Sequence, residues 1–243
     1  KLSVRSCIPE VKANELASAL CEGLGNGGGH LRKAGGFISS DTFEKIYPDR
    51  RMADVLEERI REYYDSYEII YAARYTMDTT EMERYVKKPV LVGYAKATDF
   101  LKEGTPILVR TLEGDVDLIV EKGLYLMIGI EGEVYPIHQE KFERSYRPAE
   151  GTPDMDTDYA PTIRDNIYGT TYQLVDCMKP CVSTGKTVIY AKKLTKNVKV
   201  FTAWDKEKYY RGVAGDYIVV REDDAHDIYV VRGDIFLKTY EKL

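Results

Sequence analysis

Residues 123–146 and 215–240 carry one pattern twice, and this repeat restricts the fold more than any other feature of the chain. The first copy reads Gly-Leu-Tyr-Leu-Met-Ile, then Tyr135-Pro-Ile-His, then Phe142 and Tyr146. The second reads Gly-Asp-Tyr-Ile-Val-Val, then Tyr229-Val-Val-Arg, then Phe236 and Tyr240. Tyr-to-Phe spacing is 7 and Phe-to-Tyr spacing is 4 in both. A slip of one residue turns every side chain of a strand to its other face, so equal spacing implies the same two strands and the same closing turn. Upstream, Tyr94-Ala95-Lys96 and Tyr190-Ala191-Lys192 end matching strands at 90–97 and 187–193, and the charged stretches after Met127-Ile128 and Val219-Val220 read as hairpin turns. Each copy is expected to be a strand, a variable hairpin, a Gly-x-Tyr strand, a second hairpin strand and a terminal helical turn.

The expected fold class is α+β. An N-terminal α/β fragment over 1–76 (strand, helix, glycine loop, strand, helix) precedes two small barrel-like β modules, each with a short helix, at 88–148 and 185–243. Residues 149–184 hold Pro153, Pro161, Pro180 and an acidic run from Asp154 to Asp158, which reads as a linker or extended crossover.

Composition narrows the function classes. With 243 residues, 44% of them hydrophobic, the chain can build one large or several small cores. No apolar run approaches a membrane span and none of the 243 residues reads as a signal peptide, so no membrane partner is expected. Cys7, Cys21, Cys177 and Cys181 form no C-x-x-C pair, which suits free thiols in a reducing, cytoplasmic setting. A net charge of −5 opposes sequence-blind attachment to nucleic acid, and only residues 185–243 carry a positive balance. Twenty tyrosines raise base stacking as a use, with Trp204, Tyr209, Tyr210, Lys192, Lys193 and Lys199 as one face. Most of the repeated tyrosines sit at period-2 strand positions, where packing accounts for them.

The chemistry is concentrated in Gly25-Asn-Gly-Gly-Gly-His-Leu-Arg-Lys-Ala-Gly-Gly-Phe37. Consecutive glycine N–H groups in a turn make a concave anion nest, and His30, Arg32 and Lys33 add side-chain donors suited to phosphate. Leu2 to Cys7 alternates like a half-buried strand. Leu16, Ala17, Leu20 and Leu24 follow at helical spacing with Asn14 as cap. A second helical stripe runs from Met52 to Ile70, with Asp49 as cap. Gly23-x-Gly25-x-x-Gly28 follows a helix and precedes a strand, the reverse of a dinucleotide fingerprint, and Ser183-Thr-Gly-Lys-Thr187 runs on into a strand, unlike a phosphate-binding loop.

Gly27-Gly28-Gly29-His30-Leu31-Arg32-Lys33-Ala34-Gly35, after a strand bearing Arg5-Ser6, resembles the DHH-associated domain, the substrate-binding half of the DHH phosphoesterases. That signature reads Gly-Gly-Gly-His-x-x-Ala-Ala-Gly, and Lys33 stands where the family usually has alanine. The resemblance covers about the first 75 residues. It implies that Arg5, Ser6, Gly27, Gly28, Gly29 and His30 hold substrate phosphate. It also implies that catalysis belongs to a separate N-terminal domain, whose Asp-His-His and further aspartates hold two metal ions, usually manganese. No Asp-His-His occurs here, and the histidines are His30, His138 and His226. The chain is therefore expected to be the C-terminal part of a metal-dependent phosphoesterase acting on a nucleotide, oligonucleotide or polyphosphate. By itself it is expected to hold no metal and to be inactive, its partners being the phosphate-containing substrate and the N-terminal DHH domain. The alternative is a non-catalytic protein- or nucleic-acid-binding module built on the tandem repeats.

Overall fold

The computed structural model describes residues 1–111, 114–155, 161–203 and 208–243. In chain order its elements are β1 (Leu2–Arg5), α1 (Ala13–Cys21), β2 (Gly25–Gly29), β3 (Lys33–Ile38), α2 (Ser40–Ile46), α3 (Met52–Asp65), β4 (Tyr67–Tyr71), β5 (Glu83–Lys87), β6 (Leu91–Lys96), β7 (Pro106–Thr111), β8 (Gly114–Ile119), β9 (Leu124–Ile128) and β10 (Val134–His138). There follow α4 (Gln139–Ser145), β11 (Tyr146–Pro148), β12 (Thr162–Asp165), β13 (Thr171–Gln173), α5 (Leu174–Cys177), β14 (Lys179–Ser183), β15 (Val188–Lys193), β16 (Asn197–Phe201), β17 (Tyr210–Gly212), β18 (Tyr217–Arg221), β19 (Ile228–Val231), α6 (Gly233–Thr239) and β20 (Tyr240–Lys242). The chain is mixed α+β. It divides into two compact units, one of Lys1–Thr76, Leu194–Gly215 and His226–Val230, the other of Met77–Lys193, Asp216–Ala225 and Val231–Leu243.

In the first unit, β1, β3 and β2 form an antiparallel sheet in that order. Helix α1 lies on one face, where Leu16, Ala17 and Leu20 pack with Val4, Ala34 and Tyr63. Its first residue is Ala13 after Lys12, so Asn14 falls inside the first turn instead of capping it. Ser39 caps α2 by accepting the Thr42 N–H at 3.3 Å. Asp49, at φ 65°, is also displaced from the capping role, because α3 starts at Met52. That helix stops short of Ile70. Ser66 closes it by donating its N–H to Glu62 O and its hydroxyl to Tyr63 O. The β-branched pair Ile69-Ile70 then continues as β4, parallel to β16 with Ile69 opposite Lys199.

The second unit contains most of the repeat. β9, β6, β14 and β11 lie side by side in one sheet, and β18, β15, β5 and β20 lie side by side in another. Matched by position in the copies, the two orders are the same, and each copy has lent its leading strand to the other. β5, just ahead of the first copy, pairs with β15 and β20 of the second, while β14, just ahead of the second, pairs with β6 and β11 of the first. Phe142, Tyr146, Phe236 and Tyr240 are all buried, whereas Tyr135 and Tyr229 are half-buried. Phe142 lies 4.7 Å from Tyr94, 4.7 Å from Tyr125 and 5.8 Å from Tyr146 by ring centroids. Phe236 has Tyr217 at 3.9 Å and Tyr240 at 4.7 Å, but its third ring is Tyr85 of β5 at 4.9 Å. The reason is register. Lys96 is opposite Tyr125, whereas Lys193, one residue beyond the matching lysine, is opposite Tyr217. That slip turns Tyr190 to the other face, where its hydroxyl donates to Glu222 at 3.2 Å.

The modules are not closed barrels: each sheet of the described residues is open. In the first copy the β7–β8 hairpin goes to a separate sheet ordered β13-β12-β7-β8, and the corresponding β16–β17 hairpin of the second copy belongs to the first unit. Residues 149–184, expected as a linker or crossover, supply β12, β13, α5 and β14. Pro180 sits within β14 opposite Gly93, and its carbonyl accepts the Ala149 N–H at 3.1 Å. Asp156 and Asp158 of the acidic run lie outside the described residues. No helix among the described residues is long and apolar enough to cross a membrane.

Candidate functional site

The glycine run does not curl into a nest. Gly25–Gly29 extend as β2, and the turn is the tight one at His30-Leu31-Arg32-Lys33, where His30 N–H donates to Lys33 O at 2.8 Å and Lys33 N–H to His30 O at 3.3 Å. Close neighbours explain the odd-numbered glycines, helix α1 at Gly27 and the adjoining strand β3 at Gly25 and Gly29. A Cβ at Gly27 would lie 2.0 Å from Ala17 O of α1, and one at Gly29 would lie 2.7 Å from Ala34 Cα. On β3, a Cβ at Gly36 would lie 2.4 Å from Cys21 Sγ. Glycine lets α1 settle against this sheet at close range.

Because opposite residues of an antiparallel pair share a face, the register sorts the side chains. Val4, opposite Ala34, faces the α1 core. Arg5, opposite Lys33, therefore faces outward, and so does His30, which pairs with Lys33 across the turn. All three are exposed, and they form one transverse cationic row. Ser3, on the same face, accepts from Arg5 Nη1 at 2.7 Å and folds the guanidinium back along β1. Gly28 shares this face, while Gly27 and Gly29 turn their α-carbons toward α1 and, by ladder alternation, their N–H groups toward the outer edge of the sheet. Ser6 lies past the end of β1, and its hydroxyl donates to Ile8 O at 3.1 Å. The structure thus gathers Arg5, His30 and Gly28 on one face and sets Ser6, Gly27 and Gly29 apart from it. Lys33 joins them, and Asn26, opposite the exposed Phe37, completes the face. Neither Asn26 nor Phe37 stands out in the sequence until the register is known.

Of the residues expected to stack bases, Lys199 and Tyr209 are buried in the first unit and offer no exposed platform. Lys192 and Lys193 are exposed on β15 of the second, and Trp204 lies outside the described residues. Lys199 instead enters a tyrosine cage. Its Nζ donates to Glu10 O at 2.9 Å and to the Tyr63 hydroxyl at 3.2 Å, with the rings of Tyr63, Tyr67 and Tyr209 at 4.6, 4.3 and 4.8 Å. Burial pulls its pKa down to about 8, against an opposing pull from Glu15. Tyr209 donates to Glu15 at 2.7 Å, and burial followed by that carboxylate pushes its phenol and that of Tyr63 upward.

A second lysine–tyrosine cluster lies in the other unit. Lys87 donates to the hydroxyls of Tyr135 and Tyr146, which bond each other at 2.9 Å, and it sits 5.5 Å from the Tyr240 ring. Burial raises the Tyr135 phenol, with Lys87 opposing, and pushes the Cys181 thiol up to about 12. Both clusters are polar cores that hold strands together, and neither offers an open reacting group.

Among the described residues no group of three or more His, Cys, Asp and Glu side chains could hold a metal ion. The donors on the outward face, a guanidinium, an ammonium and an imidazole, suit an anion and do not fit manganese. Comparison with family models, with curated proteins and with solved structures finds no match to this chain.

Proposed function

We propose that this chain is the substrate-binding and accessory region of a metal-dependent phosphoesterase of the DHH type, acting on a nucleotide, oligonucleotide or polyphosphate. The observation that carries this reading is the Arg5–Lys33–His30 row on the open face of the glycine hairpin. Three donors of a kind that prefers anions sit across adjacent strands, where one phosphate can bridge them. Manganese in the partner domain would supply an activated water, and nothing in this chain takes part in that step. The role of these residues is to bind and orient the phosphate. The two exchanged β modules are accessory, built around tyrosine packing.

Calorimetric titration of the chain with pyrophosphate tests the reading. Binding is expected, and His30→Ala is expected to remove a charge-assisted contact of about 1.5–3 kcal/mol when the ring is protonated. Identical binding by wild type and His30→Ala would leave the hairpin a purely structural element.

A further inference from the structure

The sheet ordered β13-β12-β7-β8, within the second unit, buries one face and exposes the other. Ile107, Val109 and Ile163 turn into the core, so alternation places their neighbours on the outer face. There Asp117, Leu108, Arg164 and Thr171 lie opposite one another across the four strands, and all but the half-buried Leu108 are exposed. To one side of that row, Pro106 is opposite Ile119, and its carbonyl accepts the Asn166 N–H at 2.9 Å. To the other side, Arg110 is opposite Asp115 and pairs with it at 3.4 Å.

Asn166 opens a rigid turn. The carboxylate of Asp165, a residue buried at its base, accepts the N–H groups of Ile167 and Tyr168 at 2.6 and 3.2 Å, and Asp165 N–H donates to Thr170 O at 2.8 Å. Side-chain bonds of this kind fix the backbone of a turn. The apex nevertheless holds two large side chains out, with Ile167 57% and Tyr168 82% exposed, and Ile119, two strands from Asn166, is 60% exposed. Apolar and aromatic groups already held in place lose little freedom on docking and make good interface anchors.

We propose that this face docks a second copy of the same chain, the two sheets packing face to face about a twofold axis that runs along β7 between them. A half-turn about that line exchanges the β8 side with the β12 side and keeps each residue in its row. Asp117 of each copy then lies over Arg164 of the other, and Ile119 of each lies over the Ile167-Tyr168 turn of the other. Leu108 and Pro106 meet their own counterparts. Arg110 does too, with its charge met by Asp115 in each copy. A twofold axis across the strands would set Asp117 against Asp117 and Arg164 against Arg164, so charge selects the axis along β7. Four strands at about 4.8 Å and three rows at about 6.5 Å give a face of roughly 400 Å² per copy. That is the small end of specific interfaces, so a reversible dimer is expected, with a dissociation constant of roughly tens to hundreds of micromolar.

Sedimentation velocity of the 243-residue chain, from about 5 μM to about 1 mM, tests the proposal. Wild type is compared with Asp117→Arg, Arg164→Asp and Tyr168→Ser, after circular dichroism confirms that each is folded. Each charge reversal turns two attractive contacts of the dimer into repulsive ones and should raise the dissociation constant about tenfold or more. Tyr168→Ser should raise it about tenfold as well. An equimolar mixture of Asp117→Arg and Arg164→Asp should dimerise like wild type, because every contact between the two variants again joins opposite charges. A wild-type chain that stays monomeric throughout, association indifferent to both reversals, or a mixture as weak as either variant alone overturns the proposal.

Discussion

Lys199 on β16 donates to the hydroxyl of Tyr63 on α3 at 3.2 Å, tying the strand from the second repeat to the N-terminal helices of the same unit. The amine is 2% exposed and its pKa is near 8, below the roughly 10.4 of an unfolded lysine. Between those values the unfolded chain binds the extra proton, so stability rises with pH there. Below pH 8 both states are protonated and this group contributes no slope. Above about 10, unfolded tyrosines ionise while Tyr63 and Tyr209 resist, and stability falls again. Urea unfolding is expected to show a gain of about 1–2 kcal/mol between pH 8 and 9.5. Lys199→Met, which replaces a buried charge with an apolar chain of similar length, should be flat over that interval. A wild-type profile as flat as the mutant's would contradict the buried cage.

Strand exchange makes a second expectation. Because β5 completes one sheet and β14 the other, neither repeat copy can come apart alone. Phe142→Ala and Phe236→Ala should each cost about 3–5 kcal/mol. In both variants, hydrogen exchange should report one shared opening of β6, β9, β15 and β18. Protection lost only in the mutated copy would mean that the two sheets are independent.

Glycine substitutions separate the two faces of the hairpin. Gly27→Ala puts a methyl against Ala17 O and should destabilise by about 1–3 kcal/mol, the usual range for overpacking. Gly28→Ala meets open space and should be neutral or stabilising by up to about 1 kcal/mol, since alanine has less backbone freedom to lose. Thermal melts of the two variants decide this, and equal losses would contradict the assignment of β2's faces.

Much of the first unit is legible from residue spacing. Leu16, Ala17 and Leu20 announce α1, and the alternation at Leu2–Arg5 announces β1. The glycines misled because an edge strand facing a helix at close range leaves no apolar period to read, and a nest and a strand then look alike in sequence. Tyr-to-Phe and Phe-to-Tyr spacings revealed the repeat but not its exchanged strands, since the pairing of Tyr85 with Ile189 leaves no local mark. Lys199 read as a surface cation because its cage is built from Glu10, Tyr63 and Tyr67, remote in sequence. In the site, Arg5 and His30 were visible as residue types. Phe37 and Asn26 became visible only when the register placed them on the same face.

On the outward face, one phosphate is expected to bridge β1, β3 and the hairpin turn. Amide and side-chain chemical shifts of the chain during a phosphate titration test it most directly. Arg5, Gly28, His30 and Lys33 are expected to shift together with a single saturation curve, and Arg5→Ala should weaken the shifts at His30 and Lys33 alike. Shifts confined to residues elsewhere, or none at these four positions at saturating phosphate, would contradict the claim.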